Sequence, residues 1–380
     1  MSETIYFDNA ATTKPIAEAS EILNEHITNS WNNPSALYTR AVDEERRMKG
    51  DKETIRKTMK SDKVIITSCG TEGNNTVIFG GMKRTGKPMH FITSAYEHAC
   101  VYECMKEQEA RGNSVSYIKP RNDGKIHAED VTHEIRDNTA LVSIMHVNNE
   151  TGAINDIEAI AKAVKKVNKN VMFHSDGVQG YIKVPFDMRR SSVDYYTASA
   201  HKVHGLKGTG AIFLKENTPL HAFVLGGGQE SGMRSGTENT LGIAVFAKAA
   251  DIYSKNREEY EKQIKLVREK MIEGIKSIED TRIISPEDGA SHILSAAFIG
   301  VRGEVLLHSL SSRGIELSVG SACSSHKRRN RVHEALDLPP EVAEGVVRIS
   351  FSHENTVEEA ERALSAIKEE VEKLRRFKRL

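Results

Sequence analysis

A lysine that follows a short buried strand is the residue of this chain best placed to do chemistry. The apolar and β-branched run 193–197 predicts that strand, and small residues then lead to His201 and Lys202 before a glycine-rich turn. Open α/β sheets bind ligands at the carboxyl ends of their parallel strands, so Lys202 is expected at such an edge. A desolvated lysine there suits Schiff-base chemistry with an aldehyde cofactor. The alternative is a solvated lysine in a surface loop.

Two other predicted strand ends carry groups that could hold parts of such a cofactor. After the strand 64–67, Gly70 and Thr71 precede a helix whose free N–H groups suit a phosphate; the alternative is an ordinary N-cap. The strand 171–176 ends on Asp176, and an aspartate beside a buried site can pair with a protonated pyridine nitrogen. The alternative for Asp176 is a turn or N-cap carboxylate.

The elements around these residues predict a doubly wound α/β fold. Strands and helices alternate from 63 to 215, including a strongly apolar strand at 140–147, which indicates a mostly parallel sheet. The region 240–278 is helical almost throughout and could connect two domains, after which a smaller α/β unit follows. The predicted units are an N-terminal segment 1–14 packing near the small domain, a large domain 15–255 and a small domain 256–380.

Charge and hydropathy exclude several classes of function. The 53 basic and 53 acidic residues balance, so neither nucleic acid nor an anionic membrane is an expected partner. The chain has no apolar run of about 18 residues and no basic-then-apolar start, so we expect neither a membrane span nor a secretion signal.

The four cysteines are too few and too scattered to predict a disulfide framework, and a reducing cytoplasm is the expected compartment. Cys100 and Cys104 lie one helical turn apart and are predicted to be packed thiols. Their spacing does not extend to a recognisable zinc motif, so no metal site is predicted.

Taken in chain order, the strand-end residues form a pattern that resembles the cysteine desulfurases of the NifS/IscS family. These proteins are class V aminotransferase-like, fold-type I pyridoxal-phosphate (PLP) enzymes. The stretches that carry the resemblance are Thr71-Glu72, Glu97-His98, 145–152, His174-Ser175-Asp176 with Gln179, His201-Lys202, 232–237 and 320–323. The resemblance runs nearly end to end, and it implies a large domain with a mostly parallel doubly wound sheet plus a smaller α/β C-terminal domain.

The resemblance also implies roles around pyridoxal 5′-phosphate. Lys202 would bind the aldehyde and then move the Cα proton of the substrate, while Asp176 keeps the pyridine nitrogen protonated. His98 would stack on the ring and assist proton transfer; the alternative is a core histidine. The other residues implied to bind the cofactor are Gln179 at the phenolic oxygen, Asn149, and a phosphate set of Gly70, Thr71, Ser199, His201 and Thr237. Thr237 would come from the neighbouring subunit, which implies a homodimer.

The implied reaction converts L-cysteine to L-alanine. Arg348 would bind the substrate carboxylate with Asn149 beside it; the alternative is an arginine in a surface ion pair. Cys323, as a thiolate, would attack the substrate sulfur and hold it as a persulfide for an acceptor, either an iron–sulfur scaffold or a tRNA-thiolation enzyme. The alternatives are a related enzyme, such as a selenocysteine lyase or an aminotransferase, and a binding protein that has lost activity.

A basic run follows Cys323 and includes Arg331. These cations could lower the pKa of the Cys323 thiol or contact an acidic or RNA partner. The alternative for any one of these arginines is an ordinary solvated charge.

Overall fold

The computed structural model describes residues 4–82, 86–319 and 330–378 of the chain. The strands in this part are β1 (Ile5–Tyr6), β2 (Lys63–Thr67), β3 (His90–Ser94), β4 (Ser114–Ile118), β5 (Thr139–Ser143), β6 (Met172–Asp176), β7 (Tyr195–Ser199), β8 (Gly210–Leu214), β9 (Thr281–Ile283), β10 (Ile293–Phe298), β11 (Ile315–Glu316) and β12 (Val346–Ser350). The helices are α1 (Ala19–Asn29), α2 (Thr39–Met59), α3 (Gly70–Gly80), α4 (Ala99–Ala110), α5 (Ala128–His133), α6 (Ile157–Val167), α7 (Thr240–Lys276), α8 (Gly303–Ser311), α9 (Arg331–Ala335), α10 (Pro340–Ala343) and α11 (Val357–Lys378).

Seven of these strands form one large sheet in the order β2-β8-β7-β6-β5-β3-β4. The pairs from β4 through β3, β5, β6 and β7 are parallel, whereas β8 runs antiparallel to both of its neighbours. Helices connect β3 to β4, β4 to β5 and β5 to β6, whereas residues 177–194 connect β6 to β7 without a helix. The prediction of a mostly parallel, doubly wound sheet is therefore confirmed.

The strand before Lys202 lies two residues further along the chain than predicted. β7 spans Tyr195–Ser199 instead of 193–197, and all five of its residues are buried. The small residues at its end stay in the strand because they pair with Ala211 and Gly210 of β8, where pairing and burial override weak strand propensity.

The apolar strand predicted at 140–147 ends early, at Ser143. Beyond it, the backbone N–H groups of Ile144 and His146 still donate to the carbonyls of His174 and Asp176, at 3.1 and 2.9 Å. The chain therefore continues along β6 with single hydrogen bonds in place of a regular ladder.

The helices that matter most for the site begin at the carboxyl edge of the large sheet. α3 starts three residues after the end of β2, and α4 starts five residues after the end of β3. Their N-terminal N–H groups, which lack partners within the helix, are therefore available at this edge. No helix of the described residues combines the length and apolar character needed to cross a membrane.

A second, smaller group of elements has its own apolar core. It contains the antiparallel sheet β12-β10-β9 and the parallel pair β1-β11. The aromatic rings of Phe7 and Phe351 meet edge to face in this core, with centroids 5.5 Å apart. The amino-terminal strand thus packs with the later part of the chain.

Helix α7 contacts both cores. Its first half, up to Tyr253, packs on the core of the large sheet, and its second half, from Ile264, packs on the smaller core. The boundary predicted at residue 255 falls between these two residues. The division into three units stays a prediction.

Candidate active site

Six strands of the large sheet run in the same direction and end at the same edge, and most of the residues predicted to bind the cofactor lie there. β6 and β7 pair so that Asp176 is opposite Thr197. Ser199 at the end of β7 lies next to Gly70 at the start of α3, because a Cβ added to Gly70 would be 3.7 Å from the Ser199 Cβ. The fold therefore brings together groups that are more than a hundred residues apart in sequence.

Lys202 lies in a single 3-10 turn, Ala200–Lys202, directly after β7. Its Nζ donates to the backbone carbonyls of Ala10 and Ala11, both at 2.6 Å. The pKa of Lys202 is lowered to about 8. Burial is the largest cause and the charge of Arg348 adds to it, while the carboxylates of Asp8 and Asp176 oppose the shift. The amine can therefore exist in its neutral, nucleophilic form much nearer to neutral pH than an exposed lysine.

Asp176 is the last residue of β6 and is almost fully buried. One carboxylate oxygen accepts from Asn74 Nδ2 at 2.7 Å, and the other accepts from the Val178 backbone N–H at 3.0 Å. Asn74 is itself held by the hydroxyl of Thr197, which donates to its Oδ1. The Asp176 carboxylate is thus held in a fixed orientation at the edge. Its contact with the Val178 N–H is that of the turn carboxylate named as the alternative, and its role toward a pyridine nitrogen stays a prediction.

His98 immediately precedes α4, and its ring accepts from the Cys100 backbone N–H at 3.3 Å. The ring is accessible to solvent, yet the protein around it lowers the pKa of His98, with desolvation the largest cause. An accessible, uncharged ring at this edge offers a face on which a flat ligand can stack. His98 is therefore not the core histidine of the alternative prediction.

Cys100 lies beneath His98, with its Sγ 2.9 Å from His98 Nδ1 and 3.1 Å from Asn74 Nδ2. Burial raises the pKa of the Cys100 thiol, and the charge of Asp176 raises it further. Among the described residues, the ligand atoms of His98, Cys100 and Asp176 lie within 4.8 Å of one another. This side-chain cluster lies at the same edge of the sheet as Lys202, and we call this region the recess at Lys202.

Gly70 and Ser199 are arranged as a phosphate cradle would require. A Cβ on Gly70 would come within 2.5 Å of Val178 Cγ2, so the close approach of the chain there needs glycine. Ser199 is 3% exposed, and its buried hydroxyl has no hydrogen-bond partner among the described residues. An orphaned buried hydroxyl beside the free N–H groups of α3 fits a phosphate.

His201 and Thr71 lie at the same end of the sheet. His201 Nδ1 is 3.1 Å from the Thr12 hydroxyl, and burial, together with the nearby Lys202, lowers the pKa of His201 to about 4. Thr71 is the second residue of α3 and is exposed. Their roles toward a phosphate stay predictions.

Gln179 and Thr237 differ in how the structure places them. Gln179 Nε2 donates to the Ala10 carbonyl at 2.8 Å, the same acceptor that Lys202 uses, and its Oε1 is buried without a partner among the described residues. Thr237 is exposed, and its loop is tied to the start of α3 through Arg234, which pairs with Glu72 at 2.8 Å. The assignment of Thr237 to a neighbouring subunit stays a prediction.

Arg348 lies on β12 and is 6% exposed, so it is not the surface arginine of the alternative prediction. Its guanidinium donates to Asp8 Oδ1 at 2.8 Å and to the backbone carbonyl of Asn149 at 2.9 Å. The Nε has no partner among the described residues. A buried guanidinium with one free donor and a single carboxylate partner is suited to receive a second carboxylate.

Cys323 and the residues 320–329 lie outside the described residues, but both flanks of this segment are placed at the site. Ser318 exchanges backbone hydrogen bonds with Arg348, at 2.6 and 3.0 Å. On the other side, Asn330 Nδ2 donates to Glu150 at 2.6 Å. The Arg331 guanidinium donates to the carbonyl of Glu97 and lies 4.1 Å from the ring centre of Tyr102, so Arg331 is not simply solvated.

Sequence reasoning missed three residues of this arrangement. Asn74 could have been found, because it lies one helical turn after Gly70 and so shares its face. Asp8 had no comparable signal, since its contact with Arg348 spans 340 residues. Glu97 is fully buried, where it accepts from the Ser94 hydroxyl and the Met145 N–H, and burial raises its pKa to about 8.

Comparison with known proteins identifies the group to which this arrangement belongs. The family model described as aminotransferase class V matches residues 5–363. A NifS/IcsS protein homolog of Lactobacillus delbrueckii subsp. bulgaricus is 38% identical over 378 residues, covering 96% of this chain and 96% of the relative. Cysteine desulfurase IscS of Clostridium botulinum is 33% identical over 375 residues, covering 97% of this chain and 94% of the relative.

Comparison with solved structures supports the same assignment. A NifS-like protein that is 32% identical superposes with a TM-score of 0.91, covering 97% of this chain and 99% of the other. The fold is thus that of the fold-type I α/β transferases. The chain belongs to the class V aminotransferase family and, within it, to the NifS/IscS cysteine desulfurases. The predictions of family, fold class and enzyme class made from the sequence are confirmed.

Proposed function

We propose that this protein is a cysteine desulfurase that uses pyridoxal 5′-phosphate to convert L-cysteine into L-alanine and passes the sulfur to Cys323. The observation that carries the proposal is the meeting of three groups at one recess. These are the buried amine of Lys202, the anchored carboxylate of Asp176 and the buried guanidinium of Arg348.

The residues present fit the cofactor. The orphaned hydroxyl of Ser199 beside Gly70 suits the phosphate, Asp176 suits a protonated ring nitrogen, and the accessible face of His98 suits the ring. When bound, the cofactor supplies an electron sink for bonds broken around the substrate Cα. Lys202 is the residue to which the aldehyde would attach.

Lys202 also has the properties needed to move a proton at the substrate Cα. Its pKa of about 8 lets the amine act as a base near neutral pH and return the proton later as an acid. The carbonyls of Ala10 and Ala11 fix the amine at the mouth of the recess.

Arg348 would bind the substrate carboxylate, and Asp8 is the group that the substrate must compete with. The guanidinium already holds Asp8 with one Nη and the Asn149 carbonyl with the other. A bidentate carboxylate pair would require Arg348 to exchange at least one of these contacts. Because the guanidinium is buried, an incoming carboxylate would bind it in a site with little competition from water.

Cys323 would take the sulfur. As a thiolate it attacks the substrate sulfur, an S–S bond forms, and the C–S bond of cysteine breaks. The carbon fragment retains the electron pair, is protonated, and leaves as alanine. The flanks of the segment, at Ser318 beside Arg348 and at Arg331 beside the residue preceding His98, support its assignment to this site.

The subsequent acceptor of the sulfur would be an iron–sulfur scaffold or a tRNA-thiolation enzyme. A homodimer, in which Thr237 completes the phosphate site of the neighbouring subunit, belongs to the same proposal.

The test is incubation of the purified, cofactor-loaded protein with L-cysteine, followed by measurement of alanine and mass analysis of Cys323. We expect alanine and one added sulfur on Cys323, and Cys323→Ser should abolish sulfur transfer while retaining bound cofactor. Cys104→Ala is the matched control, since burial raises the pKa of the Cys104 thiol to about 12 and makes it a poor nucleophile. Undiminished alanine formation by Cys323→Ser would refute the proposed role.

A further inference from the structure

A cavity of about 560 Å³ lies between the turn after β6, helix α7 and the start of β10. We call it the α7 cavity, and five of the side chains that line it are Lys183, Arg257, Glu261, Arg268 and His292. None of them belongs to the proposed catalytic or cofactor-binding set. The cavity is therefore distinct from the recess at Lys202.

The interior of the α7 cavity contains cationic and polar groups that lack partners. Lys183 is 8% exposed, and its Nζ has no hydrogen bond or ion pair to any described residue. His292 is 3% exposed, and its buried Nε2 likewise has no partner in the described chain. The Nε of Arg268 is also buried without a partner among the described residues. The Nη2 of Arg268 donates to the Pro286 carbonyl at 3.4 Å, a long hydrogen bond.

Such groups are costly unless something satisfies them. An ammonium on a largely buried side chain loses most of its hydration, and a buried ring nitrogen or guanidinium N–H without a partner adds to the cost. Burial correspondingly lowers the pKa of Lys183 to about 7, and the charge of Lys202 contributes. A bound anion would supply the missing acceptor to Lys183 and Arg268. His292 is neutral and one ring nitrogen is engaged with the Gln179 backbone, so its Nε2 would accept from a protonated oxygen of a phosphate.

The carboxylates of the cavity fill this need only in part: Glu269 and Glu261 act on the charge of Arg268, but no hydrogen bond joins either of them to its Nε. Glu261 is already engaged, because it accepts from the Ser291 hydroxyl at 2.8 Å and pairs with Lys265 at 3.2 Å. Asp288 pairs with Lys125 at 2.5 Å. The remaining acidic residues of the lining are exposed at the rim: Glu258, Glu269 and Glu287. Arg257 and Lys265 also belong to the lining, so its more exposed part carries charges of both signs, while Lys183 and His292 are buried.

We propose that the α7 cavity binds a small anion, a carboxylate or a phosphate, whose charge lies among Lys183, Arg268 and His292. The site lies close to the catalytic recess in sequence as well as in space. Lys183 follows Gln179 by four residues, in the segment that continues from Asp176 at the end of β6. The occupant would therefore neutralise a charge that acts on the neighbourhood of Lys202.

The test uses the cofactor-loaded protein, so that the phosphate cradle of the catalytic recess is already filled. Thermal unfolding is followed at pH 7 with increasing sodium phosphate or sodium acetate, against sodium chloride at equal ionic strength. We expect a saturable rise of a few degrees with at least one of the two anions, because binding to the folded state alone stabilises it. The two arms distinguish a phosphate ligand from a carboxylate ligand.

Lys183→Met should remove the saturable rise or weaken the apparent affinity at least tenfold, and His292→Asn and Arg268→Gln should each weaken it as independent checks. Lys255→Met is the matched control, because Lys255 lies on α7 outside the cavity lining, is exposed and pairs with Asp251. The proposal is overturned if neither anion stabilises the wild-type protein beyond chloride. It is equally overturned if the Lys183→Met protein responds as the wild type does.

Discussion

The neighbouring strands β6 and β7 each lead into a largely desolvated lysine, and the two lysines differ in their partners. Lys202, after β7, donates to two carbonyls and is influenced by the charges of Asp8 and Asp176, whereas no hydrogen bond or ion pair joins Lys183, after β6, to the described chain. Burial is the main cause of the lowered pKa in both, to about 8 for Lys202 and about 7 for Lys183. A depressed lysine pKa therefore does not identify a catalytic amine by itself.

The two regions differ in the groups that surround each lysine amine. At Lys202, the carbonyls orient the amine, and Asp8 and Asp176 keep part of its charge, so that both protonation states are accessible near neutral pH. At Lys183, the side chain lines a cavity that also contains other cationic side chains. The amine of Lys202 is therefore positioned to react with a ligand that other residues bind. The amine of Lys183 instead belongs to a site that we propose binds an anion.

The largest contrast is expected in turnover. Lys202→Ala should lower kcat for alanine formation by about 10³-fold or more, because both the attachment point and the proton carrier are lost. Lys183→Met should change kcat by less than about threefold, under 1 kcal/mol in barrier height. An equal loss in both variants would remove the distinction between the two lysines.

A smaller loss of kcat is expected when the carboxylate of Asp176 is replaced by an amide. Asp176→Asn should lower kcat about 10²-fold, since it removes the charge that would keep a ring nitrogen protonated. Asn74→Leu leaves that carboxylate in place and removes only one of its hydrogen bonds, so it should cost about tenfold. The ranking is checked by kcat measurements on both variants, and a reversed order would contradict the role given to Asp176.

Arg348 and Arg268 should differ in their effect on substrate binding. Arg348→Lys should raise KM for L-cysteine by about 30-fold, the equivalent of about 2 kcal/mol for a lost charged hydrogen bond. Arg268→Lys, in the α7 cavity, should leave KM unchanged. Asp8→Asn should lower KM a few-fold, because it removes the carboxylate that already occupies Arg348 at 2.8 Å. Steady-state kinetics on the three variants tests this set.

The smallest effect concerns stability and pH. Burial lowers the pKa of Lys183 from 10.5 to about 7, so between these values the folded state binds fewer protons than the unfolded state. Stability contributed by this group therefore rises with pH across that window, and the penalty is greatest below it. We expect Lys183→Met to unfold a few degrees above the wild type at pH 6.5, with the difference shrinking toward pH 9.5.

Lys165→Met is the control for that comparison. Lys165 pairs with Asp194 at 2.5 Å, so its removal should destabilise the protein. A gap between wild type and Lys183→Met that stays constant with pH would show that the ammonium is not buried unpaired.

The sequence was sufficient for the features that depend on local order along the chain. The positions of Lys202 and Asp176 at strand ends follow from periodicity and from the alternation of strands with helices, and the pattern of motifs led to the family. The extent of β7 did not follow, because Ala198 and Ser199 join it only through their partners on β8.

Contacts between distant segments could not be predicted in the same way. The carbonyl acceptors of Lys202 lie more than 190 residues before it, and no side-chain pattern marks a backbone carbonyl. The α7 cavity likewise exists only because α7 and the start of β10 pack beside the turn that contains Lys183. Lys183 and His292 each look ordinary in the sequence.

The amino-terminal strand links the two halves of the molecule within a few residues. β1 pairs with β11, Asp8 holds Arg348, and the carbonyls of Ala10 and Ala11 hold Lys202. A fusion partner or a cut near residue 8 would disturb amine and guanidinium together, so its effect could not be attributed to either one. For the same reason, a fluorophore attached beside Thr12 would report displacement of the catalytic lysine and of the carboxylate clamp in a single signal.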